Sequence, residues 1–304
     1  MGMTVGLVGL LALDENVVGG VERRGFGGSV YYVSKALDTL GLGYRVLTAV
    51  GSDFPVEMFL EEVGHGGVFH FLRYSGPNLV FRNVYIDDSR VQYVRNHGYF
   101  FYMDVMLDFF CPSKPDVLAV LPIIGEVSLG DILVLSRYFD VAVDPQGLVR
   151  RVSRGRVSGS PIDPRYLSKC VAVKVSMDEL YLLYPDRVSM EVFLDGYGGV
   201  FAVTMGREGS LIYLDNVYVY VPAPPVQRDA DTTGAGDVYM AAILYGLVNG
   251  YSVFELGALA SSLCYTLISS GVGGLMGYRS VYDELLDLVD EIGRENFLDI
   301  LYGR

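Results

Sequence analysis

Asp231-Thr232-Thr233-Gly234-Ala235-Gly236-Asp237 sets two carboxylates around a run of small residues and leads straight into an apolar stretch over 238–248. That stretch predicts a helix over 236–249. The first backbone N–H groups of a helix have no intrahelical partner and carry partial positive charge, so a helix start holds an anion such as phosphate. Gly234, Ala235 and Gly236 let a ligand approach the backbone closely. Asp237 falls in the first helical turn, beside that anion. A carboxylate there repels phosphate unless it has a task, and taking the proton of a hydroxyl that attacks phosphorus is such a task. For the Gly-Asp pair alone an ordinary N-cap and glycine turn is the simpler reading. The whole run is a more specific signal.

Other residues carry possible chemistry with weaker signals. Gly27-Gly28 precedes a predicted helix over 29–40 and reads either as a tight turn or as a close approach to a ligand. Asp14 follows the first predicted strand. A carboxylate at the carboxyl end of a parallel strand points into the ligand crevice of an open α/β sheet, the alternative being a solvated loop acid. Ser176 and Glu179, at a predicted strand-to-helix junction, have the spacing of a capping box. Thr204, Gly206 and Gly209 follow another predicted strand. Gly271-Val272-Gly273-Gly274 reads as a helix stop. Asp144 to Arg150 has no firm chemical role, although Gln146 and Arg150 are candidates to face a ligand.

The elements that must position these residues alternate. Buried strands are predicted over 5–11, 44–50, 117–121, 141–143, 171–175 and 200–204, with helices over 29–40, 126–138 and 177–184. A hairpin is expected over 210–214 and 217–221, then helices over 236–249, 253–269 and 280–292. This order implies one α/β domain over 1–304, built on a doubly wound, mostly parallel sheet flanked by helices. Short strands over 67–74, 78–85 and 89–95 interrupt it. They suggest a small β-sheet lid over 67–97, joined by 16–23, while basic 150–159 reads as a loop.

Composition excludes several classes. The 304 residues are 51% hydrophobic, enough for a sizeable core, and no apolar run reaches the ~20 residues of a membrane helix. A net charge of −13 speaks against a nucleic-acid backbone as partner. The N-terminal residues lack the pattern of a signal peptide, so a cytoplasmic location and no membrane partner are expected. Cys111, Cys170 and Cys264 are scattered and read as thiols in a reducing compartment. Gly6 and Gly9 do not make a dinucleotide fingerprint, and no Walker A pattern occurs.

The full Asp231–Asp237 run resembles the C-terminal signature of the PfkB/ribokinase family of small-molecule kinases, and Gly25 to Gly41 resembles its N-terminal signature. The resemblance extends from Val5 to about Gly274. It implies a ribokinase-like fold and ATP-dependent phosphoryl transfer to a hydroxyl of a small sugar, polyol or nucleoside. Asp237 would be the catalytic base, and Gly234, Ala235 and Gly236 the anion hole. Asp14, Gly27, Gly28 and Tyr32 would meet the acceptor. Thr204, Gly206 and Gly209 would line the nucleotide phosphates, with Gly273 along the adenine pocket. The stretch from Ser176 to Glu179 is similar to the family's Asn-x-x-Glu motif, which makes Glu179 a magnesium-positioning carboxylate. ATP and Mg2+ are the implied cofactors, with room for a monovalent cation. One departure is Tyr31-Tyr32-Val33, where many members carry an Asn; it counts against ribose. A phosphorylated acceptor would call on Arg82, Arg90 or Arg95, and a nucleoside on Tyr31, Tyr32, Phe81 and Tyr93. A homodimer through the lid is expected, with Phe69, Phe71, Val80 and Val84 on the lid's apolar faces. The alternative function is a catalytically inactive nucleotide- or sugar-binding sensor of the same fold.

Overall fold

The computed structural model describes residues 4–86, 89–227 and 230–303. The chain begins with β1 (Thr4–Val8), β2 (Ala12–Val18), β3 (Val21–Gly27) and helix α1 (Ser29–Leu40). Next come β4 (Gly43–Val50), α2 (Val56–Val63), β5 (Gly67–Arg73), β6 (Val80–Ile86) and β7 (Ser89–Arg95). The middle of the chain holds α3 (Met103–Phe110), β8 (Val117–Val120), α4 (Leu129–Leu135), β9 (Val141–Val143), α5 (Gln146–Val149), β10 (Arg150–Ser153) and β11 (Arg156–Gly159). After it lie β12 (Ala172–Ser176), α6 (Met177–Leu183), α7 (Arg187–Asp195), β13 (Val200–Thr204), β14 (Ser210–Leu214) and β15 (Val217–Val221). The last elements are α8 (Ala235–Asn249), α9 (Val253–Ser270), α10 (Arg279–Leu286), β16 (Asp290–Ile292) and α11 (Arg294–Tyr302).

Ten strands form the large sheet in the order β16-β15-β14-β13-β12-β9-β8-β1-β4-β5. From β13 to β5 neighbouring strands are parallel, and β14, β15 and β16 extend the sheet antiparallel. Helices cover both faces, so central strands such as Val117–Val120 are buried on either side and read as unbroken apolar runs. One core lies between the sheet and α1, α8, α9 and α10, the other against α3, α4, α6, α7 and α11. Apolar α9 reaches the length of a membrane span, yet most of it is buried, packed on α8, β14 and β15. The chain leaves β1 outward to β4 and β5, then crosses to β8, β9, β12 and β13. A crevice therefore opens at the carboxyl ends of the strands flanking β1.

The second sheet has six strands in the order β10-β11-β7-β6-β2-β3 and covers that crevice. Its membership corrects the sequence reading in two places. The strand expected to begin the lid, β5, pairs in parallel with β4 over Gly67–Arg73 and belongs to the large sheet. Its Phe69 and Phe71 pack against Phe59 of α2, so they are not lid residues. Residues 150–159, expected to be a loop, form the β10–β11 hairpin, turning at Arg154 and Gly155, both in the left-handed region. Arg156 then pairs with Tyr93 and joins the hairpin to β7.

Three boundaries also differ. β1 stops at Val8, and Asp14 stands on β2 of the second sheet instead of at the carboxyl end of a parallel strand. The helix expected over 126–138 is confined to Leu129–Leu135, because the buried Glu126 carboxylate is turned back to accept N–H groups of Leu10, Ile123 and Ile124. The helix expected over 280–292 ends at Leu286, and Asp290–Ile292 pairs with Tyr218–Tyr220 as β16.

Candidate active site

Two cavities meet at the start of α8. One, of about 230 Å³, lies between the carboxyl ends of the large sheet and the inner face of the second sheet. The other, of about 600 Å³, runs along α8 and α9. Ser176, Thr204, Thr232 and Gly236 line both, so they mark the junction.

The local sequence builds that junction. Asp231 Oδ1 accepts the Thr233 N–H at 2.9 Å, an Asx turn that brings the chain round. Gly234 then caps α8 in the left-handed region at φ 82°. A Cβ there would lie 2.3 Å from the Tyr32 ring, so the tyrosine packs directly on the helix start. Gly236 sits in the first turn, where backbone N–H groups have no carbonyl four residues earlier in the helix. Asp237 follows and faces the smaller cavity alone.

The smaller cavity is walled by polar groups. β2 brings Asp14, β6 brings Phe81 and Asn83, and β7 brings Gln92. Phe81 and Asn83 are two residues apart and share a face. Asp14 is paired in register with Phe81, and Asn83 with Gln92. Gln92 Nε2 donates to Asn83 Oδ1 at 2.8 Å, and Asn83 Nδ2 donates to Asn16 Oδ1 at 2.8 Å, which fixes both amides. Gly27 does not line the cavity, but a Cβ on it would lie 2.2 Å from the Asp14 carboxylate, so glycine makes room for that side chain. Gly28, at φ 92°, opens α1 and lines the cavity with Ser29 and Tyr32. Burial, then the carboxylates of Asp14 and Asp237, push the Tyr32 hydroxyl well above a free phenol, so it stays protonated and remains a hydrogen-bond donor.

The large sheet contributes the floor. Asp144 follows β9, and Lys174 lies on the adjacent β12, their charged ends 2.5 Å apart and both almost fully buried. Burial works against the Lys174 charge, but Asp144, Glu179 and Asp237 outweigh it and hold the ammonium protonated. Burial, and after it the neighbouring Glu179 and Asp237, push the Asp144 carboxyl up, with Lys174 opposing them. Ser176 and Glu179 form the capping box of α6: Glu179 Oε2 accepts the Ser176 N–H at 2.8 Å. Glu179 also lines the smaller cavity, so one carboxylate serves both readings of its spacing. Among the described residues no cluster of three or more His, Cys, Asp or Glu makes a ready-made metal cage.

The larger cavity is mainly apolar. Ala223, Pro224, Pro225, Val226, Tyr239, Cys264, Tyr265 and Ile268 line it, with Thr204, Gly206 and Gly209 at the end near α8. A Cβ on Gly209 would stand 2.1 Å from the Val221 carbonyl oxygen, and its φ is 88°, so only glycine suits this turn.

Most of the expected site residues thus gather at one place. Asp14, Gly28, Tyr32, Glu179, Gly234 and Asp237 line the smaller cavity, Thr204 and Gly236 line both, and Ala235, Gly206 and Gly209 line the larger one. Gly273 does not join them; it lies in a 3-10 turn over Val272–Tyr278, outside both linings. Phe81 and Tyr32 face the smaller cavity, whereas Tyr31 turns to Glu62 and Phe59 and Tyr93 is exposed. Arg82 and Arg95 are paired with Glu15 and do not line the cavity, and the Arg90 side chain lies outside the described residues. Among the described residues the cations that do line it are Arg150, which donates to the Ile123 carbonyl, and Lys174. Sequence reading passed over Asn83, Gln92 and Lys174. A signal existed for the lysine, a lone charge inside the apolar run from Val171 to Val175.

A doubly wound sheet with a second, smaller sheet over its crevice is the ribokinase-like fold. Residues 164–271 match the model of the pfkB family carbohydrate kinases. That segment is about a third of the chain, and over it the chain is similar to the PfkB/ribokinase family. A nucleoside kinase of Methanothermobacter thermautotrophicus is 32% identical over 90 residues, 27% of this chain and 28% of that protein. A 5-dehydro-2-deoxygluconokinase of Geobacillus thermodenitrificans is 29% identical over 83 residues, 26% of this chain and 25% of that one. The aligned stretches thus span about a quarter of these relatives' own lengths. A pyrophosphate-dependent kinase of the ribokinase family, solved with a pyrophosphate analog and myo-inositol, shares the fold at a TM-score of 0.73 and 21% identity, covering 87% of this chain and 94% of that one.

Proposed function

We propose that the protein transfers the terminal phosphoryl group of ATP to a hydroxyl of a small unphosphorylated polyol or sugar. One observation carries this reading: two cavities of opposite character share a wall at the start of α8, and Asp237 stands on the polar side of it. The acceptor would occupy the smaller cavity. Its volume of about 230 Å³ is below the range of ~300–1,000 Å³ usual for drug-sized ligands, and its walls offer carboxylate, amide and hydroxyl groups. A single ring bearing several hydroxyls suits it better than a nucleoside, whose base needs an apolar slot. Cyclic polyols therefore head the candidates, in keeping with the myo-inositol bound to the structural relative.

The donor would lie in the larger cavity. Its apolar walls suit a nucleotide base, with the phosphates reaching Gly206, Gly209 and the start of α8. Inorganic pyrophosphate, on which that relative depends, would leave the apolar part of the chamber without a task. In the reaction, the acceptor oxygen bonds to the terminal phosphorus as the bond from phosphorus to the bridging oxygen breaks. Asp237 takes the hydroxyl proton, and ADP leaves with the bonding electrons. The first-turn amides of α8 stabilise the charge on the transferring group. Glu179, an oxygen donor at the cavity wall, would hold Mg2+ through water, and bound Mg2+ would neutralise donor phosphate charge. The second sheet would exclude water from the acceptor.

A panel of myo-inositol, hexoses, sugar acids and nucleosides, each with ATP and with pyrophosphate, tests the reading. Turnover of a polyol or sugar with ATP is expected. Transfer only to nucleosides, or only from pyrophosphate, would overturn it. A homodimer through the second sheet is also proposed, resting on the edges at β3 and β10 that no further strand among the described residues pairs with.

A further inference from the structure

We propose that Lys174 is the cationic member of the anion hole, binding the transferring phosphoryl group together with the first-turn amides of α8, and that Asp144 holds it there. The proposal rests on the kinase reading for the identity of the anion, but not for the site itself.

Lysine is almost never fully buried unless paired. Lys174 is 2% exposed, in the middle of an otherwise apolar strand. Side chains alternate along that strand. Val173 and Val175 enter the core against α6 and α7, and Ala172 enters the core beneath α8, so Lys174 shares the α8 side. It reaches up to the helix start: a Cβ on Gly236 would lie 2.9 Å from its Nζ. The ammonium therefore touches the backbone that would hold the phosphoryl oxygens, and it lines the acceptor cavity.

Its hydrogen bonding is incomplete. An ammonium has three donors. Asp144 Oδ2 takes one at 2.5 Å, and no second acceptor for Lys174 occurs among the described residues. A buried ion pair by itself contributes little to stability, because desolvation offsets the attraction. Apolar residues would fill this strand position at lower cost. An ammonium with donors to spare, aimed at a polar cavity beside a helix N-terminus, instead has the chemistry of an oxyanion ligand.

The surroundings explain why such a charge is needed. Asp144 from the end of β9, Glu179 from the first turn of α6 and Asp237 from the first turn of α8 all act on Lys174. Three carboxylates would repel an incoming phosphate. Lys174 offsets one of them at the point where the phosphoryl group must pass. It gives up no proton: the acceptor's proton goes to Asp237, and the ammonium only stabilises charge on the phosphoryl oxygens as one phosphorus–oxygen bond forms and the other breaks.

Replacing Lys174 alone would leave Asp144 buried and unpaired, so the test uses the double variant Lys174→Met/Asp144→Asn. Asparagine keeps an Oδ1 for the Gln146 N–H, which Asp144 accepts at 3.1 Å. Folding is checked by urea unfolding, phosphate binding by titration of inorganic phosphate, and turnover with the acceptor found in the panel. The expected result is a folded protein whose turnover falls by about 100-fold or more, the usual cost of losing one anion-hole donor, with acceptor KM changed less than about threefold. Phosphate affinity is expected to fall about tenfold or more, equivalent to about 1.4 kcal/mol. A folded double variant that binds phosphate and turns over like wild type would overturn the proposal. If the wild-type protein phosphorylates nothing in the panel yet binds phosphate in a Lys174-dependent way, the anion site stands and the kinase reading fails.

Discussion

Gly234→Ala is expected to destabilise the protein by about 2–5 kcal/mol, and the cost divides into two parts that can be separated. The first is local. Gly234 has φ 82° and ψ −6°, and an L-residue with a side chain is disfavoured in the left-handed region by about 1–2 kcal/mol. The second is steric. The new Cβ would stand 2.3, 2.5 and 2.5 Å from Cδ1, Cε1 and Cγ of Tyr32. That ring is 8% exposed and is braced edge-on by Tyr31 at 5.0 Å, so it cannot swing aside freely. Overpacking of this kind costs about 1–3 kcal/mol. Urea unfolding of the variant, with the m-value checked, reads the sum. Repeating the substitution in a Tyr32→Ala background removes the overlap and leaves the backbone cost, so the penalty is expected to drop to about 1–2 kcal/mol. A penalty below about 0.5 kcal/mol in the wild-type background, within the range of ordinary surface changes, would refute the strained helix start. An equal penalty in both backgrounds would refute the contact with Tyr32.

Asp237→Asn is expected to lower turnover by about 10²- to 10⁴-fold while leaving donor affinity near wild type. Its thermal midpoint should match or exceed wild type, because Asp237 no longer repels the Asp144 carboxylate, which keeps Lys174 as its partner; near-normal kcat in steady-state assays would remove Asp237 from the mechanism. Hydrogen bonding from Arg95, then the Arg95 charge and the contacts of Arg82 and Arg24, holds the Glu15 carboxyl below its ordinary value. A carboxyl lowered on folding contributes stability that is present above its unfolded pKa and is lost as pH falls through the folded one. Glu15→Gln should therefore flatten the acid side of the stability curve below about pH 5, by about 1 kcal/mol or less because the arginines are exposed. A variant curve parallel to wild type between neutral and acid pH would contradict this. Sedimentation at micromolar concentration is expected to give a dimer that Val21→Ser on the exposed edge strand β3 weakens; a wild-type monomer would end the dimer proposal.

The legible part of the site was the part made by neighbours in sequence. Seven consecutive residues set the Asx turn, the left-handed cap and the place of Asp237 in the first turn, so the local geometry at the start of α8, where the proposed base and anion hole lie, could be read directly. The capping box of α6 was legible for the same reason. What escaped notice depends on pairing at a distance. β5 is an edge strand with only partly buried side chains, and nothing local distinguishes it from a lid strand; its seven-residue parallel register with β4 decides. The β10–β11 hairpin looks like a basic loop because Arg154 and Gly155 make its turn and arginines and serines fill most of its exposed positions. Lys174 acquires meaning only when β9 brings Asp144 beside it and α8 brings Gly236 above it.

The same division separates chemistry from choice of acceptor. The proposed transfer machinery is concentrated at one helix start, with Thr204, Ser176 and Thr232 shared between the two cavities. The walls of the proposed acceptor cavity come from four strands and two helices: Asp14 on β2, Phe81 and Asn83 on β6, Gln92 on β7, Arg150 at the start of β10, Tyr32 on α1 and Gln146 on α5. These groups sit mostly on the second sheet, whose contribution can change without disturbing α8. The hydrogen-bonded amides of Gln92, Asn83 and Asn16 show how such a wall is set: each amide orients the next, and Asn16 Nδ2 reaches Asp231 Oδ2 at 3.4 Å. Specificity for the arrangement of hydroxyls on an acceptor ring then follows from which amide faces present N–H and which present carbonyl oxygen. Exchanging donor and acceptor at Gln92, as in Gln92→Glu, should alter acceptor preference in the panel while sparing donor affinity, because this residue lines the smaller cavity and not the larger one.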